Sequence, residues 1–364
     1  GPLVVEVPPN VLGFLDDFAF NYVTDMGNAG PDKGKGGKYL LLPPGYDGKA
    51  PDGYFAIESP SYRIWVMMRG FGEVGKGEQA VDWFRQHLKV YPLATGPRQG
   101  TFTNATGVGT NSLPPEDGSA FEMLNEIVQY EPKELFGAEQ LGRLATLGIV
   151  KGKPFEPDER MREILSAGAE VGIKMAKALR FGDHLPGTLY YEDRQWNNVL
   201  NVFDVEYKED TFLNVDARMG MFIIGYSTSA AMVMNIVGKG SKYPFAYRDA
   251  DGDYLSGGQA YRLHIPANVP AANFWSVTLY DASNASGLDN DQPFPSIGSL
   301  DDLQYNEDGS VDLYFAPELP SGAPESNWLR TVPGKGWFTL FRLYSPEQPF
   351  FDGSWKPGDF EKIN

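Results

Sequence analysis

The stretches YRLHIP (261–266), FWSVTLYD (274–281), SVDLYFAP (310–317) and GWFTLFRLYS (336–345) decide the fold of this chain. Each is a short run of β-branched and aromatic residues closed by a Pro, Gly, Asn or Asp turn, which is the composition of a strand. Side chains alternate faces along a strand. Tyr261, Leu263 and Ile265 therefore oppose Arg262 and His264, and Trp275, Val277, Leu279 and Asp281 oppose Phe274, Ser276, Thr278 and Tyr280. Val311, Leu313 and Phe315 oppose Asp312 and Tyr314; Trp337, Thr339, Phe341 and Leu343 oppose Phe338, Leu340, Arg342 and Tyr344. The last third, from Tyr243 to Trp355, reads as strand after strand, with one face for a core and one left over.

Working outward, the middle of the chain changes period. EQAVDWFRQHLKVY (78–91) sets Val81, Phe84 and Leu88 at helical spacing, and SAFEMLNEIVQ (119–129) and AEQLGRLATLGIV (138–150) read as two further helices. A long helix runs over 157–182, opened by Pro157 and acids and closed by Lys, Arg and Gly182, as caps and the helix dipole favour. Residues 183–215 form an irregular link rich in aromatics and Asn, and 216–237 read as one buried helix that begins with a charged pair, Asp216 and Arg218. The first residues return to strands: LVVEV (3–7), KYLLLPP (38–44), and YFAIES (54–59) with YRIWVMMRGF (62–71) as a hairpin around Pro60. Strands and helices are segregated, without βαβ alternation. The class is α+β, mainly antiparallel, in three segments: an N-terminal β region (1–75), a helical middle (76–240) and a C-terminal β-sandwich (241–364).

Composition removes several functions. The chain of 364 residues has no Cys, which excludes thiolate catalysis and Cys-held metals. Its net charge of −17, from 48 acids against 31 bases, repels nucleic acid and anionic lipid. The most apolar run, 219–238, is broken by Gly220, Gly225, Ser227 and Asn235 and reads as a core helix, not a membrane span. GPLVVEVPPN lacks the charged start and long apolar stretch of a signal peptide.

Motifs are sparse. The glycine-rich loop 27–38 lacks the strand-then-helix context of a phosphate loop, and Lys35 is followed by Gly36 where Ser or Thr would hold magnesium. Asp249, Asp251 and Asp253 alternate as calcium ligands do, yet the sixth and twelfth loop positions are Tyr254 and Ala260, and Asp251-Gly252 is a favoured hairpin turn. The three histidines, His87, His184 and His264, share no metal-ligand spacing, and no Gly-x-Ser-x-Gly elbow is present. What remains is the spare face of the strands. Stacked in one sheet, Arg262, His264, Tyr280, Tyr314, Arg342 and Tyr344 would line a polar–aromatic cavity suited to a sugar-like or aromatic ligand.

These segments, together with FLDDF (14–18), DMGNAGPDKGKGGKYLLLPPGY (25–46), GKGSKY (238–243) and DADGDYLSGG (249–258), resemble a bacterial family that pairs two domains of unknown function, numbered 1254 and 1214. The resemblance implies a jelly-roll-like C-terminal sandwich and a mixed N-terminal domain, and a longer N-terminal stretch than this chain has. It suggests export, hence a periplasmic or secreted protein, with the cytoplasm as the alternative. It implies no activity.

Two functions follow as expectations. One is an enzyme, a hydrolase or lyase, acting on a small oxygen-rich or carbohydrate-like substrate. Arg262 or Arg342 would neutralise a carboxylate, and His264, Tyr280 or Tyr344 would move a proton. The other is a non-catalytic module that binds a small molecule or glycan, or assembles into a homo-oligomer through its 19 Tyr and 7 Trp. No cofactor is expected beyond calcium at Asp249, Asp251 and Asp253.

Overall fold

The structure is a computed structural model and describes residues 1–70, 76–98, 100–109, 113–182, 188–199, 204–225 and 227–363. It divides into two compact units, where the sequence reading marked three segments. The first is Gly1–Met175 with Ser227–Ala231, and the second is Ala176–Tyr226 with Met232–Asn364.

In the first unit, β1 (Leu3–Val7), β4 (Gly37–Leu42), β5 (Phe55–Glu58) and β7 (Lys89–Pro92) form one sheet in the order β5-β4-β1-β7, and β2 (Leu12–Asp17), β3 (Tyr22–Gly27) and β6 (Ile64–Arg69) form another in the order β3-β2-β6. Their apolar faces share one core of Val5, Val7, Val11, Leu15, Met26, Tyr39 and Leu41. Gly27 is required at the β3 turn: its φ is 74°, and a Cβ there would stand 2.1 Å from the Val11 carbonyl oxygen. Helices α1 (Gly77–His87), α2 (Ser119–Tyr130), α3 (Ala138–Thr146) and the start of α4 (Glu159–Phe181) complete the unit.

Two sequence expectations are corrected in this unit. The segments 54–59 and 62–71 do not form a hairpin. β5 pairs parallel with β4, along the buried Tyr39–Leu41 run, and β6 pairs antiparallel with the buried β2. The expected helix over 78–91 stops at His87. Its last residues form β7, where Tyr91 pairs with Val4 and is 1% exposed, so burial of a β-forming aromatic overrides the helical spacing.

In the second unit, β10 (Pro244–Ala246), β12 (Ala271–Asp281), β13 (Ser296–Gly298) and β16 (Trp337–Pro346) form a sheet ordered β13-β12-β16-β10-β8, with β8 (Asn197–Asn198) on its edge and β9 (Ser241–Lys242) paired with β16. The facing sheet is ordered β15-β14-β11-β17, from β11 (Ala260–Ile265), β14 (Val311–Ala316), β15 (Trp328–Arg330) and β17 (Phe360–Ile363). The two sheets enclose Leu263, Ile265, Val277, Leu279, Leu313, Phe315, Trp337, Phe341, Leu343 and Phe360. These are the inward rows that alternation predicted. An α+β chain of mostly antiparallel sheets is thus the observed class.

The helix expected over 216–237 is two pieces, α5 (Val215–Ile224) and the short α6 (Ala230–Val233), since Gly225 is extended with φ −169°. A last short helix, α7 (Gln348–Phe351), follows β16. Among the described residues, no helix is long and apolar enough to cross a membrane.

Candidate functional site

The structure brings Arg262 and His264 to the outer face of one sheet of the second unit, and Tyr280, Arg342 and Tyr344 to the outer face of the other. The inter-sheet core stands between the two groups. The single cavity expected of these residues does not form, because β11 and β12, although consecutive strands, lie in opposite sheets. Each residue has a local partner instead. Arg262 Nη2 donates to Glu361 at 2.6 Å, and His264 Nδ1 lies 2.8 Å from an Asp312 carboxylate oxygen. Arg342 donates to the Tyr280 hydroxyl, Tyr280 stacks on Phe338 at 5.1 Å, and Tyr344 stacks on Phe274 at 4.0 Å. Burial pushes the Tyr280 phenol up, and Arg342 pulls it partly back.

The three candidate metal ligands also have a partner. Gly252, at φ 85°, closes a turn between Arg248 and Tyr254, and the Asp249 carboxylate accepts from the amides of Asp251 and Asp253. All three carboxylates then face Lys362 Nζ, at 3.1 Å for Asp249, 3.4 Å for Asp251 and 2.6 Å for Asp253. The ammonium stands where the calcium expectation put an ion, and the same carboxylates hold its pKa well above the ordinary lysine range. Among the described residues, no group of three or more His, Cys, Asp or Glu side chains is arranged to hold a metal ion. The glycine-rich loop is likewise structural: Asp32 accepts from the amides of Gly27 and Gly36 and from the Tyr39 hydroxyl, at 2.7, 3.0 and 2.5 Å. His184 lies outside the described residues.

A concave site does exist in the second unit, made by segments that sequence reasoning left as a link. Residues 188–198 form a narrow loop. Leu189 bridges Asn197, the Tyr190 amide donates to the Trp196 carbonyl at 2.8 Å, and Asn198 donates to the Thr188 carbonyl at 2.6 Å. β8 attaches this loop to β10 at the sheet edge, and Trp196 Nε1 donates to the Gly358 carbonyl at 2.8 Å. Pro349 sits in the first turn of α7, a position that its fixed φ suits, and α7 presents Phe350 and Phe351 to the loop.

Between loop and helix lies a cavity of about 650 Å³, lined by Leu189, Tyr190, Tyr191, Glu192, Asp193, Asn198, Asn235, Phe350, Phe351, Asp352, Gly353 and Lys356. Its aromatic wall is continuous: Tyr190 lies 5.4 Å from Phe350 and 6.1 Å from Tyr191, and Phe350 lies 5.3 Å from Phe351. Lys356 Nζ lies 5.4 Å from the Tyr191 ring and 2.9 Å from Asp193 Oδ1, and it holds the Asp193 carboxyl below its usual range. The Tyr191 hydroxyl is buried and has no hydrogen-bond partner. Burial pushes both Tyr190 and Tyr191 far above the ordinary phenol range, so both remain neutral donors. The signal for this site in the sequence was its two aromatic doublets, Tyr190-Tyr191 and Phe350-Phe351, in otherwise polar turns.

The first unit carries a second feature that sequence reasoning missed. Phe14, Asp16, Asp25, Trp65 and Met67 share the face of the β3-β2-β6 sheet opposite its core, as the register pairs Phe14 with Asp25 and Met67, and Asp16 with Trp65. Asp16 is fully buried with neither carboxylate oxygen hydrogen-bonded, and burial, reinforced by Asp17 and Asp25, pushes its pKa up to about 7. Asp25 accepts from the Tyr22 hydroxyl at 3.2 Å and is also raised by burial. Asp17 differs: it accepts from the amides of Ala19 and Asn21 and from the Asn21 side chain, which is a turn-stabilising role. The doublet within FLDDF was the available signal, since adjacent strand residues point to opposite faces and a carboxylate therefore lies on each.

Comparison with known proteins adds fold and family without activity. Two family models match the chain, both described as a protein of unknown function: DUF1254 over residues 1–92 and DUF1214 over residues 240–348. Among solved structures, the VPA0106 protein from Vibrio parahaemolyticus is similar over 100% of this chain and 86% of its own, with 16% identity and a TM-score of 0.54. An uncharacterised protein from Burkholderia cenocepacia is similar over 100% of this chain and 73% of its own, with 12% identity and a TM-score of 0.42. No curated protein matches the chain.

Proposed function

We propose that this chain, a member of the family that pairs domains of unknown function 1254 and 1214, binds a small oxygen-rich, carbohydrate-like ligand in the cavity between residues 189–198 and 350–356. The observation that carries the reading is the lining itself. The partly buried rings of Tyr190 and Phe351 offer surface for stacking, backed by the buried Tyr191 and Phe350. Asn198, Asn235, Asp193, Asp352 and Lys356 offer donors and acceptors, and the Tyr191 hydroxyl still has its hydrogen bond to make. That combination of apolar walls with a few fixed polar groups is what small-molecule sites use. Binding is favoured over catalysis because burial keeps the two tyrosines protonated and Lys356 keeps Asp193 ionised, so none of the three is poised to exchange a proton near pH 7.

The reading is tested by thermal shift with neutral hexoses and uronic acids. A ligand at 100 times its Kd stabilises by about 2.7 kcal/mol. The shift is expected in the parent and absent in Phe350→Ala. A shift that survives Phe350→Ala unchanged removes the cavity from the account.

A catalytic reading rests on one observation, the Asp16 carboxyl near pH 7 beside Asp25 and Tyr22. Turnover of a sugar ester or lactone that is abolished by Asp16→Asn and unaffected by Phe350→Ala would favour it.

A further inference from the structure

Arg180, in the last turn of α4, is buried to 5% exposure in the second unit. Its guanidinium carbon lies 4.3 Å from the centroid of the Phe245 ring. Nε and Nη2 are fully buried and have no hydrogen-bond partner. Burial pulls its pKa down to about 10, and the phenols of Tyr247 and Tyr207 act in the opposite direction.

The surroundings are aromatic. Phe181, Phe245, Tyr247 and Phe338 form one cluster, with Phe181 at 6.0, 5.5 and 5.8 Å from the other three rings and Phe245 at 5.1 Å from Phe338. This layer covers the outer face of the β10–β16 sheet. Tyr191 and Phe350 of the cavity pack instead into the core between the two sheets.

A buried cation without a counter-charge costs several kcal/mol. A cation–π contact offsets about 2 kcal/mol of that and leaves the N–H donors unsatisfied. With a pKa of about 10 the guanidinium stays protonated at neutral pH, and the best complement of its planar fork is a planar, singly charged, bidentate acceptor. We propose that Arg180 is the receptor for a small carboxylate ligand, held by its free N–H edge against the Phe245 ring. One carboxylate matches one guanidinium in charge and geometry. A doubly charged phosphate would bring excess charge into an aromatic enclosure. This site is independent of the cavity proposed above, since the two are built from different packing layers.

The test uses the full chain, with acetate and benzoate as probes, acetamide and benzamide as neutral isosteres, and chloride and inorganic phosphate at matched ionic strength. Calorimetric titration is expected to show binding of a carboxylate that its amide lacks, and loss of at least tenfold in affinity in Arg180→Met. Arg180→Lys keeps the charge without the fork and is expected to weaken binding at least fivefold. Arg180→Met without added carboxylate is expected to melt no lower than the parent, because removing an uncompensated buried charge costs nothing electrostatic. No carboxylate binding in the parent, phosphate binding tighter than either carboxylate, or binding unaffected by Arg180→Met would each overturn the proposal. If Arg180→Met does not fold, the guanidinium is needed by the chain itself, and that too counts against a ligand role.

Discussion

Asp16→Asn should make the protein more stable at pH 8 than the parent, with an advantage that vanishes on acidification. Asp16 sits fully buried with two unpartnered carboxylate oxygens, and its folded pKa is about 7. An unfolded aspartate titrates near 3.9. The group binds its proton more tightly folded than unfolded. Below about pH 4 both states are protonated and Asp16 has no linked effect. Between about 4 and 7 only the unfolded state ionises, so stability falls by up to about 1.4 kcal/mol per pH unit. Above 7 both states are ionised and the loss is constant, at roughly 3 units or about 4 kcal/mol. Asparagine has no such term, but it buries an amide whose unmade hydrogen bonds cost about 1–3 kcal/mol. The net expectation is a variant about 1–3 kcal/mol more stable at pH 8 and less stable than the parent at pH 4. Urea unfolding of both proteins at half-unit steps from pH 4 to 8.5 measures it. A difference between the two curves that is flat with pH would show that Asp16 is ionised and satisfied in the folded protein, and would refute the reasoning.

Three further outcomes follow. Trp337→Ala should cost about 3–5 kcal/mol, because Trp337 is 2% exposed and packs on Tyr261, Phe315 and Phe360 across the two sheets; chemical denaturation would reveal a smaller loss if the sheets did not meet there. Lys362→Met should lower the melting temperature at pH 7 by leaving Asp249, Asp251 and Asp253 to repel one another. The deficit should shrink as the pH falls through the lowered pKa of Asp253, where the contribution of its pair with Lys362 is lost. Asp193→Asn should weaken ligand stabilisation without unfolding the protein, since Asp193 is about half exposed and positions Lys356; a parent-like thermal shift would contradict that role.

The sheet rows were legible because alternation depends only on neighbours in the chain: Leu263, Val277, Leu313 and Phe341 are all interior, as read. Which rows share a sheet was not legible, because β11 pairs with β14 and β17 while β12 pairs with β13 and β16. Those pairings join residues from 18 apart, Thr278 with Ser296, to 103 apart, Ala260 with Ile363. Arg262 and Tyr280 are therefore near in sequence and on opposite faces of the sandwich. Lys89 to Pro92 show the same limit from the other side, since helical spacing persists until a distant β1 claims the segment. The cavity was unreadable for a related reason. It forms where residues 188–198 meet 349–358, and the polar contacts that fix the meeting, from Trp196 to Gly358 and from Gln195 to Asp359, join residues more than 160 apart.

The central claim is that the cavity between Tyr190, Tyr191 and Phe350 holds an oxygen-rich ligand. The most direct measurement is a crystal structure with the sugar or uronic acid that gives the largest thermal shift. The account predicts ring density stacked on Tyr190 or Phe351, with a ligand oxygen within hydrogen-bond distance of the polar lining. Density for that ligand elsewhere, with the cavity filled only by water, would contradict it.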